Sequence, residues 1–248
     1  MAEALRKLCL FGFAVGTPLA GQKKDPCLHQ QVPKLNLNIE ATTRGALFAE
    51  DAKLEKLASG YETVEGPLYD GKGHLLFTDI PNQRIWLLNV KTLETTLFRD
   101  ETGGANGLAF DLRGRLLMCK QREKSLARLE EDGTETVLLK PTRMGPNKKI
   151  YPVGVNDVVV DRKGRIYVTV PGAGSIYLLD SDGGNPRTVI SGLKGPNGLM
   201  LSPDEKTLYV SEYKEQKLHA YEVDPKNGNA SKRRFFAQVK PPSDYGCD

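Results

Sequence analysis

Asn156-Asp157-Val158-Val159-Val160-Asp161, Arg165-Ile166-Tyr167-Val168-Thr169, Ser175-Ile176-Tyr177-Leu178-Leu179 and Arg187-Thr188-Val189-Ile190 follow one another as short apolar runs. Each is bounded by Gly, Asp, Asn or Pro, and each is rich in the Val, Ile, Leu and Tyr that suit a pleated surface. Runs this short with turn formers between them do not suit helices. They read as antiparallel strands joined by tight turns.

The same order recurs on both sides of this stretch. First runs open at Glu65-Gly66-Pro67-Leu68-Tyr69-Asp70, Asn106-Gly107-Leu108-Ala109-Phe110-Asp111 and Asn197-Gly198-Leu199-Met200-Leu201-Ser202. Second runs follow at His74–Asp79, Arg115–Met118 and Lys206–Val210, third runs at Arg84–Leu88, Ser125–Leu129 and Lys217–Tyr221, and fourth runs at Glu94–Phe98, Thr134–Leu139 and Arg233–Ala237. A unit of four antiparallel strands recurring every roughly 40 to 50 residues is the mark of a propeller blade. The fold class is therefore all-β, a propeller with about four blades in this chain.

Composition agrees. Twenty-five Gly and 15 Pro indicate a chain with many turns. The 248 residues suffice for one such domain and require no second. A formal charge of +4, with no dense basic block interleaved with aromatics, argues against nucleic acid as a partner. Lys232-Arg233-Arg234 runs straight into Phe235-Phe236 and reads as the exposed start of a strand. Cys9, Cys27, Cys119 and Cys247 form no C-x-x-C pair, so a structural zinc site is not expected.

Arg6 and Lys7 precede the apolar run Leu8–Val15 and the small residues up to Ala20, the pattern of a signal peptide over residues 1–20. The run falls short of the about 20 apolar residues that span a bilayer, so integral membrane association is not expected. Export to the periplasm or outside the cell is the expectation, with a cytoplasmic N-terminal tail as the alternative. Residues 21–45 read as a linker, and residues 46–248 as the propeller.

The polar residues opening the first runs, Glu65, Asn106, Asn156 and Asn197, stand at one phase of the repeat, and Asp248 falls next in the series. First strands line a propeller's central channel, so residues at one phase converge on the axis. Glu65, Asn156, Asn197 and Asp248 would bring carboxylate and amide oxygens to one point, without thiolate or imidazole. Such a set suits a hard cation, and flexible ligands suit Ca²⁺ better than Mg²⁺. Taken singly, Asn-Gly and Asn-Asp are turn signals, and Asn227-Gly228 reads as a plain hairpin turn. The shared phase favours a site. His74, at a hairpin start, and His219, within a third strand, read as structural; no G-x-S-x-G nucleophile motif is present.

Glu65-Gly66-Pro67, Val155-Asn156-Asp157-Val158-Val159-Val160, Gly195-Pro196-Asn197-Gly198-Leu199 and the run Ser202–Ser211 resemble the SMP-30/gluconolactonase/regucalcin-like (LRE-like) family of calcium-dependent lactonases. The likeness covers residues 45 to 248 and implies a six-bladed propeller with one divalent cation at its axis. It maps the metal ligands onto Glu65, Asn156, Asn197 and Asp248 and makes Asp248 the acid/base candidate; Asn106, which shares the ligands' phase, reads as a pocket residue of unknown role, and with Asn156 is expected to line the substrate pocket. Ca²⁺ is the first choice of cation, with Mg²⁺ and Zn²⁺ as alternatives. The implied reaction is hydrolysis of a sugar lactone by water, with gluconolactone the default substrate. A related lactonase or organophosphate esterase, and a non-catalytic calcium-binding propeller, are the alternatives.

Two departures from the family pattern bear on substrate choice. Gly154 stands where an Arg often contacts substrate, and Val170-Pro171-Gly172-Ala173-Gly174 stands where an acidic residue often follows the second strand. A third concerns the end of the chain, where Asp248 resembles the entry to a fifth blade. The expectation is a fragment lacking on the order of 70 to 80 residues, with residues around Lys53 to Tyr61 supplying the outer strand of the last blade. Such a fragment is expected to be inactive or aggregation-prone unless completed.

Overall fold

The computed structural model describes residues 55–146 and 148–238. The expected signal peptide and linker, Cys9, Cys27, Cys247, His29 and Asp248 lie outside the described residues. No helix among the described residues is long and apolar enough to cross a membrane.

Contacts divide the chain into two units, Met1–Arg99 and Asp100–Asp248. The first contains one blade, built in sequence order from β1 (Val64–Tyr69), β2 (His74–Asp79), β3 (Arg84–Asn89) and β4 (Thr95–Arg99). Its core is Tyr61, Leu75, Phe77 and Leu88, with Trp86 packed against them. Residues 55–61, the described part of the Lys53 to Tyr61 stretch expected as the outer strand of a last blade, form no strand in this chain. Tyr61 instead turns inward, its ring edge-on to Phe77 at 4.9 Å, and its hydroxyl donates to Thr95 Oγ1 at 2.9 Å.

The second unit holds three more blades of the same order. They are β5 (Ala105–Phe110), β6 (Leu116–Lys120), β7 (Ser125–Leu129) and β8 (Glu135–Leu139); then β11 (Val158–Val160), β12 (Ile166–Val170), β13 (Ser175–Leu179) and β14 (Arg187–Ile190); then β15 (Pro196–Leu201), β16 (Thr207–Glu212), β17 (Lys217–Val223) and β18 (Ala230–Gln238). A two-stranded hairpin, β9 (Thr142–Met144) and β10 (Ile150–Pro152), interrupts the path between the second and third blades.

The middle strands are largely apolar because both their faces are covered. Along β12, Ile166, Val168 and Val170 join Leu117 and Leu126 in one core, while Tyr167 joins Ile176, Leu208 and Val210 in the next. Side chains alternate across a strand, so one run serves two inter-blade cores. Burial pushes the Tyr167 phenol up to about 12, keeping it a donor, and its hydroxyl reaches Gly228 O at 2.9 Å in the β17–β18 turn. The expected Asn227-Gly228 hairpin turn thus also locks two blades together.

The turn after each first strand is organised locally. Asp111 accepts the backbone N–H groups of Arg113 and Arg115, each at 2.9 Å, and the Arg115 guanidinium at 2.8 Å. Asp161 repeats this with Lys163 and Arg165, and Asp70 with Lys72 and His74. Burial works against ionisation of Asp70, but the two backbone donors and the imidazole outweigh it and hold its pKa below the usual carboxylate value. His74 is structural, as expected.

Several strand limits differ from the sequence expectation. β6, β12 and β16 begin one residue later and run one or two residues further, because the ladder follows the neighbouring strand rather than the apolar run. Lys232-Arg233-Arg234 lies inside β18 rather than at its start, at a register shift opposite β17. The first strand of the third blade is only Val158–Val160, and Asn156 and Asp157 precede it.

Candidate functional site

In three blades the first strand carries a bulge near its beginning, where two residues face one on the second strand. Gly66-Pro67 oppose Phe77, Asn106-Gly107 oppose Cys119, and Asn197-Gly198 oppose Ser211. In the third blade, Asn156 N–H donates to Thr169 O at 3.0 Å and Thr169 N–H donates to Asp157 O at 2.9 Å, so Asn156-Asp157 oppose Thr169. Bulges bend the strand and re-aim side chains, and they recur beside functional sites. Asn106, Asn156 and Asn197 therefore hold one structural position, the first of the bulge, in three successive blades.

The backbone brings these three together. Gly107 N–H donates to Asn156 O at 2.9 Å, joining the second blade to the third. The Asp157 carboxylate accepts Val158 N–H at 2.8 Å through one oxygen and Leu199 N–H at 3.2 Å through the other, joining the third blade to the fourth. Thr169 Oγ1 accepts Asp157 N–H at 2.8 Å. Asn106 is buried, and Asn156 and Asn197 are half-buried.

Gly107 permits this approach. A Cβ at that position would lie 2.4 Å from Asp157 Oδ1, 2.6 Å from its Cα and 2.8 Å from Asn156 O, so any side chain must push two backbones apart. Asp157 was not among the residues the sequence singles out; Asn156-Asp157 alone reads as a loop pair. Its signal is positional: the equivalent bulge residue is Gly107 in one neighbouring blade and Gly198 in the other. An Asp there has a reach that neither glycine has.

Glu65 belongs to the first unit and pairs with Thr78, one residue before the Gly66-Pro67 bulge. The sequence phase equates it with the asparagines, whereas the register equates Gly66 with them. Pro67, lacking an N–H for the ladder, occupies the second bulge position, and the polar residue stands one place before the bulge. Of the four expected ligands, Asn156 and Asn197 lie at bulges whose segments are joined through Asp157 and Leu199, Glu65 stands near the start of the first strand of its own blade, and Asp248 lies outside the described residues.

The donor chemistry fits a hard cation. No group of three or more His, Cys, Asp or Glu suited to a metal occurs among the described residues; the asparagine row offers amide oxygens, which are donors for a hard cation. Cys119, opposite the Asn106 bulge, is fully buried, and burial with the nearby Asp157 charge pushes its thiol well above the ordinary value. It is not a nucleophile at neutral pH. His219 is also structural. Arg233 donates to the buried Glu212 and to the His219 ring, and burial followed by the Arg233 charge lowers the histidine's pKa. Although Glu212 lies 3.0 Å from His219 Nδ1, it already holds Arg233 and the Lys194 N–H, so the imidazole stays neutral.

The family described as the SMP-30/gluconolactonase/LRE-like region matches residues 63–248. Lactonase drp35 of Staphylococcus saprophyticus is 25% identical over 175 residues, covering 64% of this chain and 51% of that protein. The chain thus spans about half the length of this relative. A solved gluconolactonase of Xanthomonas campestris superposes with a TM-score of 0.63 at 28% identity, covering 74% of this chain and 65% of that one. A calcium-binding regucalcin of Agrobacterium tumefaciens shares the fold, with a TM-score of 0.54 at 19% identity over 70% of this chain and 58% of that one.

Proposed function

The chain belongs to the SMP-30/gluconolactonase/LRE-like family, and from that premise we propose that it serves a divalent-cation-dependent hydrolysis of a sugar lactone. The carrying observation is the bulge row: Asn106, Asn156 and Asn197 occupy the same bulge position in three consecutive blades, tied together through Gly107 and Asp157. Asn156 and Asn197 would hold the cation through their amide oxygens, with Glu65 and Asp248 supplying carboxylates. Ca²⁺ is the preferred ion because flexible oxygen ligands suit it better than Mg²⁺ or Zn²⁺. When bound, the cation would polarise a lactone carbonyl and make a water molecule more acidic.

The chain's own groups do the rest. Asp248 accepts the proton of the attacking water and returns it to the departing ring oxygen. Asn106 and Asn156 orient the ring by hydrogen bonding to its hydroxyls. Asp157 remains outside the chemistry, since both its oxygens are engaged by backbone N–H groups and hold the bulges of two blades in register. A covalent route through Cys119 is closed by its burial.

The test is gluconolactone hydrolysis by the natural gene product, followed with a pH indicator in Ca²⁺ and then in EDTA. Turnover lost on chelation and restored by Ca²⁺, and lost in Glu65→Gln, Asn156→Ala and Asp248→Asn, supports the proposal. Metal binding with no hydrolysis of gluconolactone, pentonolactones or organophosphate esters would sink it in favour of a non-catalytic propeller.

A further inference from the structure

Val64 and Pro196 stand immediately before Glu65 and Asn197, and each pairs with a buried carboxylate at the end of a second strand, Asp79 and Glu212. Both carboxylates reach back to the chain entering the first strand. Asp79 accepts Glu62 N–H at 3.3 Å and Thr63 N–H at 3.4 Å through one oxygen, and the Asn82 amide at 2.9 Å through the other. Glu212 Oε2 accepts Lys194 N–H at 2.6 Å, while Oε1 meets the exposed Arg233 and lies 3.0 Å from His219 Nδ1. The other two blades differ. Lys120 holds the position opposite Ala105 in the blade of Asn106, and Val170 ends the second strand in the blade of Asn156, whose own N–H is taken by Thr169 O.

We propose that Glu212 is a positioning residue for Asn197, fixing through the Lys194 N–H the entry of the strand that presents Asn197 to the cation. The inference rests on the reading of Asn197 as a cation ligand. Pro196 has no N–H to give the ladder, and the bulge begins at the next residue, so regular pairing holds the start of β15 from one side only. The entry is fastened from outside the ladder instead. Tyr213 N–H donates to Gly195 O at 3.0 Å, Lys214 N–H donates to Lys194 O at 3.2 Å, and the Glu212 side chain reaches past Pro196 and Gly195 to take the Lys194 N–H. A fully buried carboxylate is costly to desolvate, and an apolar side chain could fill its place without that cost, so stability alone does not call for it. A carboxylate with the same task before Glu65, and none before Asn106, follows the expected ligands rather than the blade repeat.

The experiment is Ca²⁺ titration calorimetry of the full chain, with hydrogen exchange at the Lys194, Gly195 and Asn197 amides of the metal-free protein. Glu212→Asp keeps the charge beside Arg233 but shortens the reach by one methylene. Glu212→Gln keeps the reach and an oxygen acceptor for the Lys194 N–H, and gives up the charge while the exposed Arg233 turns to solvent. Glu212→Asp should weaken Ca²⁺ binding by about tenfold or more and speed exchange at the three amides. Glu212→Gln should keep both near the wild-type values. Wild-type affinity in Glu212→Asp, even with a lowered melting temperature, makes Glu212 structural only and overturns the proposal. Affinity lost in Glu212→Gln, whether or not it is lost in Glu212→Asp, assigns the effect to charge and overturns it as well. A wild-type chain that binds no Ca²⁺ removes the cation reading itself, a result distinct from either variant's.

Discussion

At one end of β11, Asp161 gathers the N–H groups of Lys163 and Arg165 and the Arg165 guanidinium, all within five residues of itself. At the other end, Asp157 accepts an N–H from Leu199, more than forty residues away. The same kind of carboxylate thus does local work at the turn and inter-blade work at the bulge. The turn pattern recurs at Asp70 and Asp111, with similar spacing and partners, because it needs nothing beyond its own segment. The bulge pattern varies from blade to blade, because each bulge fits a different neighbour.

Substitutions should separate the two ends. The largest effect is expected from Asp161→Ala, which strands the nearly buried Arg165 charge and should cost about 3–5 kcal/mol in urea unfolding. Cation affinity of the remaining folded protein should be unchanged, since the turn is remote from the asparagine row. Gly107→Ala should cost about 1–3 kcal/mol, because the added carbon meets backbone rather than a yielding side-chain tip. Here cation binding by calorimetry should weaken as well. Equal damage to affinity by both variants would break the distinction.

Smaller changes sharpen the comparison. Asp157→Asn keeps the shape but offers one acceptor to two N–H groups, and should cost about 1–1.5 kcal/mol while lowering cation affinity. The smallest expected effect is a pH dependence at His219. Its folded pKa is depressed, so the unfolded chain binds more protons near the ordinary histidine value of about 6.5. Its contribution to stability is therefore present above that pH and lost as pH falls toward the lower folded value. Melting temperatures between pH 8 and pH 5 should show the decline, and His219→Gln should flatten it.

The blades were legible from short periodic runs, and β2, β7, β13 and β14 coincide with those runs to the residue. The β9–β10 hairpin was not, because Thr142–Met144 and Ile150–Pro152 are three-residue strands with a proline and no alternating burial. The site was legible in part. Asn106, Asn156 and Asn197 stand out by phase, but the one-residue offset of Glu65 depends on Pro67 and on pairing with Thr78, which spacing cannot show. Asp157 was hidden because its partners lie in other blades.

By itself the sequence determined what each segment can settle with its neighbours in the chain. Alternating apolar residues, Asp-x-x-Gly turns and the recurrence of four runs specify blades, since strand and turn preferences act over a few residues. Only the tertiary structure decided which polar groups meet. The close approach of Gly107 to Asp157, the span from Asp157 to Leu199 and the burial that silences Cys119 all arise where separate blades pack. Packing of that kind depends on shape and register between segments far apart in the chain, and no single segment carries that information.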